Sequence, residues 1–322
     1  MKMVAKLLKT ILSFPALVVI FVCLGTRGIL CINGENPASL VPSTTKLEYH
    51  HGPLLTGPSS INVYLLWYGS FPLPNKLTIS DFFASFQPSP LRGPTVSSWW
   101  RTAGAYKDAR RTPVSSTVKL AGQISDARGM LGKNLKRADL TTLVKNAILN
   151  RVFPLDPNGV YLVLTASDVA VERFCMGSCG FHDTLAISAT RRVVFAHVGD
   201  SAKQCPGLCA WPYAVPAYGP PGSPLVAPNG VGVDGMVINI ATILAGSTTN
   251  PFKNGYFQGD ELAPLEAVTA CPGIFGADAY PGYPGKLMTE QGSRASFNAF
   301  GAHGRRFLLP AMWDPVSLTC KV

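Results

Sequence analysis

The chain has 322 residues, of which 47% are hydrophobic and 14% charged, so it can bury a sizeable core as one large domain or two. Its formal charge of +10 invites a nucleic-acid reading, but an export signal at the N-terminus excludes that class. Gly and Pro, at 31 and 27 residues, point to long ordered loops over a compact scaffold.

Lys2, Lys6 and Lys9 precede an apolar run, Ile11–Leu24, that contains Pro15 and is too short to span a bilayer comfortably. Residues 1–30 therefore read as a secretory signal peptide, 31–48 as an extended arm and 49–322 as the folded domain. No later run reads as a spanning segment, so no stable membrane insertion is expected after cleavage. Removing the signal leaves 24 basic residues against 18 acidic, a charge of +6 that suits an acidic wall polysaccharide or is ordinary surface charge.

Ile61–Tyr68 is β-branched and aromatic enough for a buried strand, and His50 and His51 before it read as loop residues. Leu77–Phe86 reads as a helix starting near Ser80 or Asp81, and a second helix near Thr95 carries Trp99 and Trp100. These two rings are candidates for stacking a sugar, or for the core. Val114–Leu120 is a strand candidate. Asp139 to Arg151 has a helical apolar stripe, and Val160–Thr165, uniformly apolar, reads as a central strand.

Six cysteines follow the signal and arm: Cys175, Cys179, Cys205, Cys209, Cys271 and Cys320. In an exported chain they read as three disulfides with connectivity open, against a zinc site built from the two C-x-x-x-C units. A short strand after the first unit and Arg191–Val198 precede a proline-rich loop, Cys205–Gly230, that carries Trp211, Tyr213 and Tyr218. Val233, Met236, Val237, Ile240, Ala241 and Leu244 form the stripe of a long helix, opened by Asn229-Gly230 and Asp234 and expected to be ended by Gly246 and Asn250-Pro251. Lys286–Thr289 and Ser296–Phe300 are expected to pair as a hairpin. Residues 306–315 read as a packed tail locked by Cys320.

Thr242 and Gly246 stand four apart on that helix, the spacing at which a zinc hydrolase places two ligands, with a Glu base after the first. Here Thr242, Ile243 and Gly246 hold those positions, and none of them binds a metal or moves a proton. No serine-nucleophile elbow occurs. Among the histidines, His182 with Asp183 and His197 with Asp200 would converge on a metal if their strands paired; the simpler expectation is that His182 bonds to backbone in the cysteine loop. Asp234, Asp260, Glu261, Glu266 and Asp278 are candidates by type for a glycosidase carboxylate pair.

Several blocks carry a resemblance. Val233-Asp-Gly-Met-Val-Ile-Asn-Ile-Ala-Thr242, Thr249-Asn-Pro-Phe252, Asn254-Gly-Tyr-Phe-Gln-Gly259 and Leu308-Leu-Pro-Ala-Met-Trp-Asp-Pro315 resemble the plant EXORDIUM / phosphate-induced protein family. Gln204-Cys-Pro-Gly-Leu-Cys-Ala-Trp-Pro212 and Ser98-Trp-Trp100 agree with it. His197 stands where the family pattern has Trp, and Asp200 where it has Asn. The resemblance implies a secreted protein of the apoplast or cell wall, linked to brassinosteroid-responsive growth and cell expansion. Distant non-plant members look as though they carry His-Glu-x-x-Glu where this chain has Thr242, Ile243 and Gly246, and a Glu-Ile-Gly-Asp pattern over Glu266–Thr269.

The expected fold is therefore α+β, a mixed sheet flanked by helices, resembling a degenerate zinc-hydrolase core with disulfide-pinned Pro/Gly-rich loops. The expected protein is no enzyme, needs no cofactor or metal, and binds wall polysaccharide or an extracellular protein, with Trp99, Trp100, Trp211, Tyr213 and Tyr256 as candidate contacts. A glycan-active hydrolase, or one with a relocated metal, is the alternative.

Overall fold

The computed structural model describes residues 46–220 and 222–322; the signal peptide and most of the arm lie outside the described residues. Five strands form the main sheet: β1 (Ile61–Tyr68), β2 (Val118–Asp126), β3 (Val160–Thr165), β4 (Gly180–Ala186) and β5 (Arg192–Gly199). Their order is β2-β1-β3-β5-β4, parallel throughout except β4, which runs antiparallel to β5 at one edge.

Hydropathy explains the order. β1 and β3 are apolar on both faces and almost wholly buried, as parallel strands covered on both sides must be. Beyond the buried Val118, β2 alternates between exposed and half-buried positions, as an edge strand does, and its register slips opposite Val63 and Tyr64. That alternation, carrying Gly122, Gln123 and Ser125, hid its true extent: the strand begins at Val118, four residues after the expected Val114.

The helices are α1 (Leu73–Ala84), α2 (Val96–Trp100), α3 (Arg137–Leu149), α4 (Pro206–Cys209) and α5 (Val231–Thr249). α1 starts four residues before the expected Leu77, because Pro74 falls in its first turn, where a proline has no hydrogen bond to lose. α3 and α5 cover opposite faces of the sheet. Arg137 of α3 lies 4.0 Å over the Phe181 ring of β4, whereas the adjacent Gly180 approaches Ile243 of α5. The mixed sheet and its flanking helices are as expected; helices separate β1, β2 and β3, whereas β3, β4 and β5 follow one another without one.

α5 is long and apolar enough to cross a membrane by length and composition, but most of it is buried within the protein, which accounts for its hydropathy. It also continues past Gly246 to Thr249, so that glycine is interior and ends nothing.

After α5 the chain forms short antiparallel pairs. Met288–Thr289 with Ser296–Phe297 is the expected hairpin; Met312–Asp314 with Thr319–Lys321 closes the tail. The end of the arm is itself a strand, Glu48–Tyr49, paired with Tyr256–Phe257. The buried tail from Phe307 to Trp313 packs against α2. There Trp99 donates its indole N–H to the Pro310 carbonyl at 2.8 Å, and Tyr106 donates its hydroxyl to the carbonyl of Trp313.

The three disulfides are Cys175–Cys205, Cys179–Cys209 and Cys271–Cys320. The two C-x-x-x-C units cross-link to each other, so their sulfurs are not a zinc site. Disulfides of this kind suit an extracellular or secretory-pathway protein. Cys271–Cys320 ties the tail to the core across 49 residues, and replacing both cysteines by serine should lower stability by about 2–4 kcal/mol in chemical denaturation.

Candidate functional site

Thr242, Gly246 and Asn250 follow each other at four-residue steps, so they lie one above another along α5 and at its C-terminal cap. Opposite them stands Glu266. Its carboxylate accepts from Asn250 Nδ2 at 2.7 Å and meets Nε2 of His182 at 2.9 and 3.0 Å from its two oxygens. Asn250 is fixed in turn by Gly255, whose N–H donates to Asn250 Oδ1 at 2.8 Å, and the Glu266 N–H donates to Thr269 Oγ1 at 2.7 Å. The side chains of His182 and Glu266 are 6% and 12% exposed, so this ion pair is all but withdrawn from water.

Gly246 makes this arrangement possible. A Cβ there would lie 2.3 Å from Glu266 Oε2 and 3.1 Å from His182 Nε2. The missing side chain is the space the carboxylate occupies.

Burial pulls the His182 pKa down, but the Glu266 charge and hydrogen bond outweigh it and hold the imidazole above its ordinary value. The pairing therefore favours the protonated ring, with Asp183 adding to that preference and Lys253 opposing it. Nδ1 of His182 is buried with no partner. His182 thus binds a carboxylate, where a backbone contact in the cysteine loop was expected.

His182 and His197 do not converge. Their strands pair, but His182 faces Ala196 and His197 faces Phe181 across the ladder, so the two rings point to opposite faces of the sheet. On its own face His197 shares a 2.9 Å hydrogen bond with Thr165 Oγ1, and burial pushes its pKa down to about 3, leaving it neutral. Asp200 accepts from the Ala202 N–H. His50 stacks on Phe257 at 3.8 Å in a loop, and His303 pairs with Asp81.

The carboxylates are scattered. Asp234, in the first turn of α5, accepts from the backbone N–H groups of Asn229 and Gly230 and from Asn229 Nδ2. It lies twelve residues before Gly246, roughly 18 Å along the helix axis, far beyond the separation of a glycosidase pair. Asp260 and Glu261 are exposed, and Asp278 pairs with Lys286 at the surface.

Thr242 is half-buried and donates its hydroxyl to the Ile238 carbonyl at 2.9 Å, a bond within its own helix. Ile243 packs toward β4. Because nothing outside α5 depends on that hydroxyl, Thr242→Ala should change stability by less than about 1 kcal/mol in chemical denaturation.

The five aromatic candidates divide. Trp99 and Trp100 are core residues, the second donating its N–H to the Ser115 carbonyl at 3.0 Å, and neither offers a ring face to a ligand. Tyr213 is buried, with its hydroxyl on the Ser296 carbonyl. Tyr256 is wedged between Tyr49 and Tyr106, 4.7 and 4.9 Å away. Trp211 alone of the five lines open space. It sits between two adjoining grooves of about 290 and 410 Å³, together with Tyr218, Tyr280 and Tyr283.

The sequence reading missed Asn250 and His182 as partners of Glu266. The first was visible as one more four-residue step beyond Thr242 and Gly246. The second depends on long-range strand placement and left no local signal.

A family profile described as the Phosphate-induced protein 1 conserved region matches residues 47–322. The chain is 47% identical to "Protein EXORDIUM-like 2" of Arabidopsis thaliana over 283 residues, covering 85% of this chain and 88% of the relative. It is 44% identical to "Protein EXORDIUM" of the same plant over 305 residues, 90% of this chain and 94% of the relative. It is 42% identical to "Protein PHOSPHATE-INDUCED 1" of Nicotiana tabacum over 306 residues, 93% of each. No solved structure gives a significant match.

Proposed function

Because the chain belongs to the EXORDIUM and phosphate-induced protein family, we propose that it is an exported, non-catalytic protein of the plant apoplast that acts in growth control by binding a wall polymer or a protein partner. The observation that carries this reading is the Glu266 carboxylate, the one acid set against α5 beside Thr242 and Gly246. Its oxygens are engaged by His182 and Asn250, and it presses into the space a side chain at Gly246 would need.

A general base must reach a reacting proton, and a metal ligand must have a lone pair to give. A carboxylate neutralised by an adjacent imidazolium does neither readily. The positions beside it, a helix-bonded threonine and a glycine, supply nothing in its stead. On this reading the helix and edge strand of a zinc-hydrolase-like shelf are kept as architecture, with a histidinium proton standing as the counter-charge to Glu266 where a catalytic relative would hold a metal cation. Brassinosteroid-responsive cell expansion is the setting the family resemblance implies. The Trp211 grooves are the surface such a binder would use.

The test is direct. The exported protein, incubated with defined wall polysaccharides in the presence of added zinc, is expected to release no reducing ends above a heat-denatured control. Sustained release, or one zinc ion per chain retained through gel filtration, would overturn the reading.

A further inference from the structure

The surface around Trp211 is built from turn chemistry. In Tyr280-Pro-Gly-Tyr283 the N–H of each tyrosine donates to the carbonyl of the other, at 3.0 and 2.8 Å, and Gly282 takes a φ of +89°. Proline followed by a glycine at positive φ is what a type II turn demands, so the motif itself sets two tyrosines side by side. Their rings lie 5.0 Å apart, with Tyr280 half exposed. Across from them the proline-rich loop presents Trp211, packed on Phe275, and Tyr218, 81% exposed. The two grooves share Trp211, so the indole separates two adjoining hollows.

Three features narrow what fits. No charged side chain lines either groove among the described residues, so a uronate would gain no counter-ion there, and phosphate is disfavoured for the same reason. The outer hollow is walled by tyrosine and proline, flat apolar faces suited to the C–H face of a ring. The inner hollow adds the hydroxyls of Ser223 and Thr289, both exposed and neither bonded among the described residues.

Hydroxyls both donate and accept, as sugar hydroxyls do. A polyproline helix offers carbonyl acceptors but no N–H, and would leave that accepting capacity unused.

Resting on the reading of this chain as a binder, we infer that the paired grooves astride Trp211 are a glycan site for an uncharged chain of equatorially substituted pyranoses, such as β-linked glucose or xylose. Successive rings lie on either side of the indole. One stacks on the Tyr218 and Tyr280 face, and the next hydrogen-bonds to Ser223 and Thr289. Acidic polymer, where it associates, does so through the dispersed surface charge and is released by salt.

Titration of the exported protein, followed by calorimetry and tryptophan fluorescence, tests this with four probes: cellohexaose, xylohexaose, an oligogalacturonide and a synthetic proline-rich peptide. A neutral hexaose should saturate with a shift in tryptophan emission and little dependence on salt. Tyr280→Ala and Tyr218→Ala, both at exposed positions that leave the core intact, should each weaken it roughly tenfold with unchanged Tm. Trp211→Ala should abolish it.

Failure of both neutral hexaoses to bind through the millimolar range overturns the inference, as does tighter binding of the uronate or the peptide in the same groove. If the hexaoses fail while a wall extract still yields a saturable partner, the binding reading survives and only the ligand class falls. If a hexaose binds and is cleaved, the ligand class stands and the non-catalytic reading falls.

Discussion

Gly246→Ala should cost this protein on the order of 5 kcal/mol, or prevent it from folding, although alanine is the better helix former by about 1 kcal/mol. The sign is therefore diagnostic. In an ordinary helix interior the substitution stabilises. Here the new methyl would stand 2.3 Å from one oxygen of Glu266 and 3.1 Å from the His182 ring, so the buried ion pair must part or the helix must move off the sheet edge. Parting leaves a carboxylate and an imidazolium uncompensated away from water, which is the larger of the two costs.

Equilibrium denaturation of the single variant and of Gly246→Ala with Glu266→Ala separates the contributions. The double variant should be more stable than the single one, because removing the carboxylate clears the space the methyl needs. If Gly246→Ala is as stable as the parent, or the second substitution adds its own cost in full, Glu266 does not pack against α5 as described.

This glycine also shows where local sequence misleads. Gly246 and Asn250-Pro251 both read as helix stops, because glycine at a C-terminus and proline beyond it usually are. The helix runs past the first and ends at the second, since the glycine answers to a side chain twenty residues later in the chain. The apolar stripe from Val233 to Leu244 and the unbroken hydropathy of Val160–Thr165 were legible because burial on a helix face or in a sheet centre leaves a periodic trace.

The partners of Glu266 were not, because a buried charge pair needs only one residue on each of two distant elements. Trp99 and Trp100 failed as sugar platforms for a related reason: an aromatic pair looks the same in sequence whether it faces solvent or the tail that packs on it. Trp211, in a loop dense with proline and pinned by Cys205 and Cys209, packs one side on Phe275 and is left lining the grooves on the other.

Stability should fall as pH rises above the ordinary histidine pKa of about 6.5. His182, raised by Glu266 despite its burial, contributes fully below that value and loses that contribution as pH passes its folded value. At lower pH two buried groups oppose each other. Burial pushes Asp234 up to about 6, against the Asn229 and Gly230 hydrogen bonds and the Arg305 charge that favour its ionised form, so its contribution is lost as pH climbs to about 6, a change on the order of 3 kcal/mol. Burial pushes His197 down to about 3, so stability is instead lost as pH falls from the ordinary histidine value toward 3, and this is the larger shift.

Asp314, held below the usual carboxylate range by Lys321 and the Val316 N–H although burial pulls it up, adds to the loss in stronger acid. The maximum therefore lies near the ordinary histidine pKa. Tm measured in one buffer system should decline above about pH 6.5. His182→Gln should flatten that decline and Asp234→Asn should steepen the rise below about pH 6, whatever each does to absolute stability. A profile that is level or rising above about pH 6.5 would mean that the histidinium is not what balances Glu266. The edge of the sheet would then need another account of how it tolerates a carboxylate pressed against a helix.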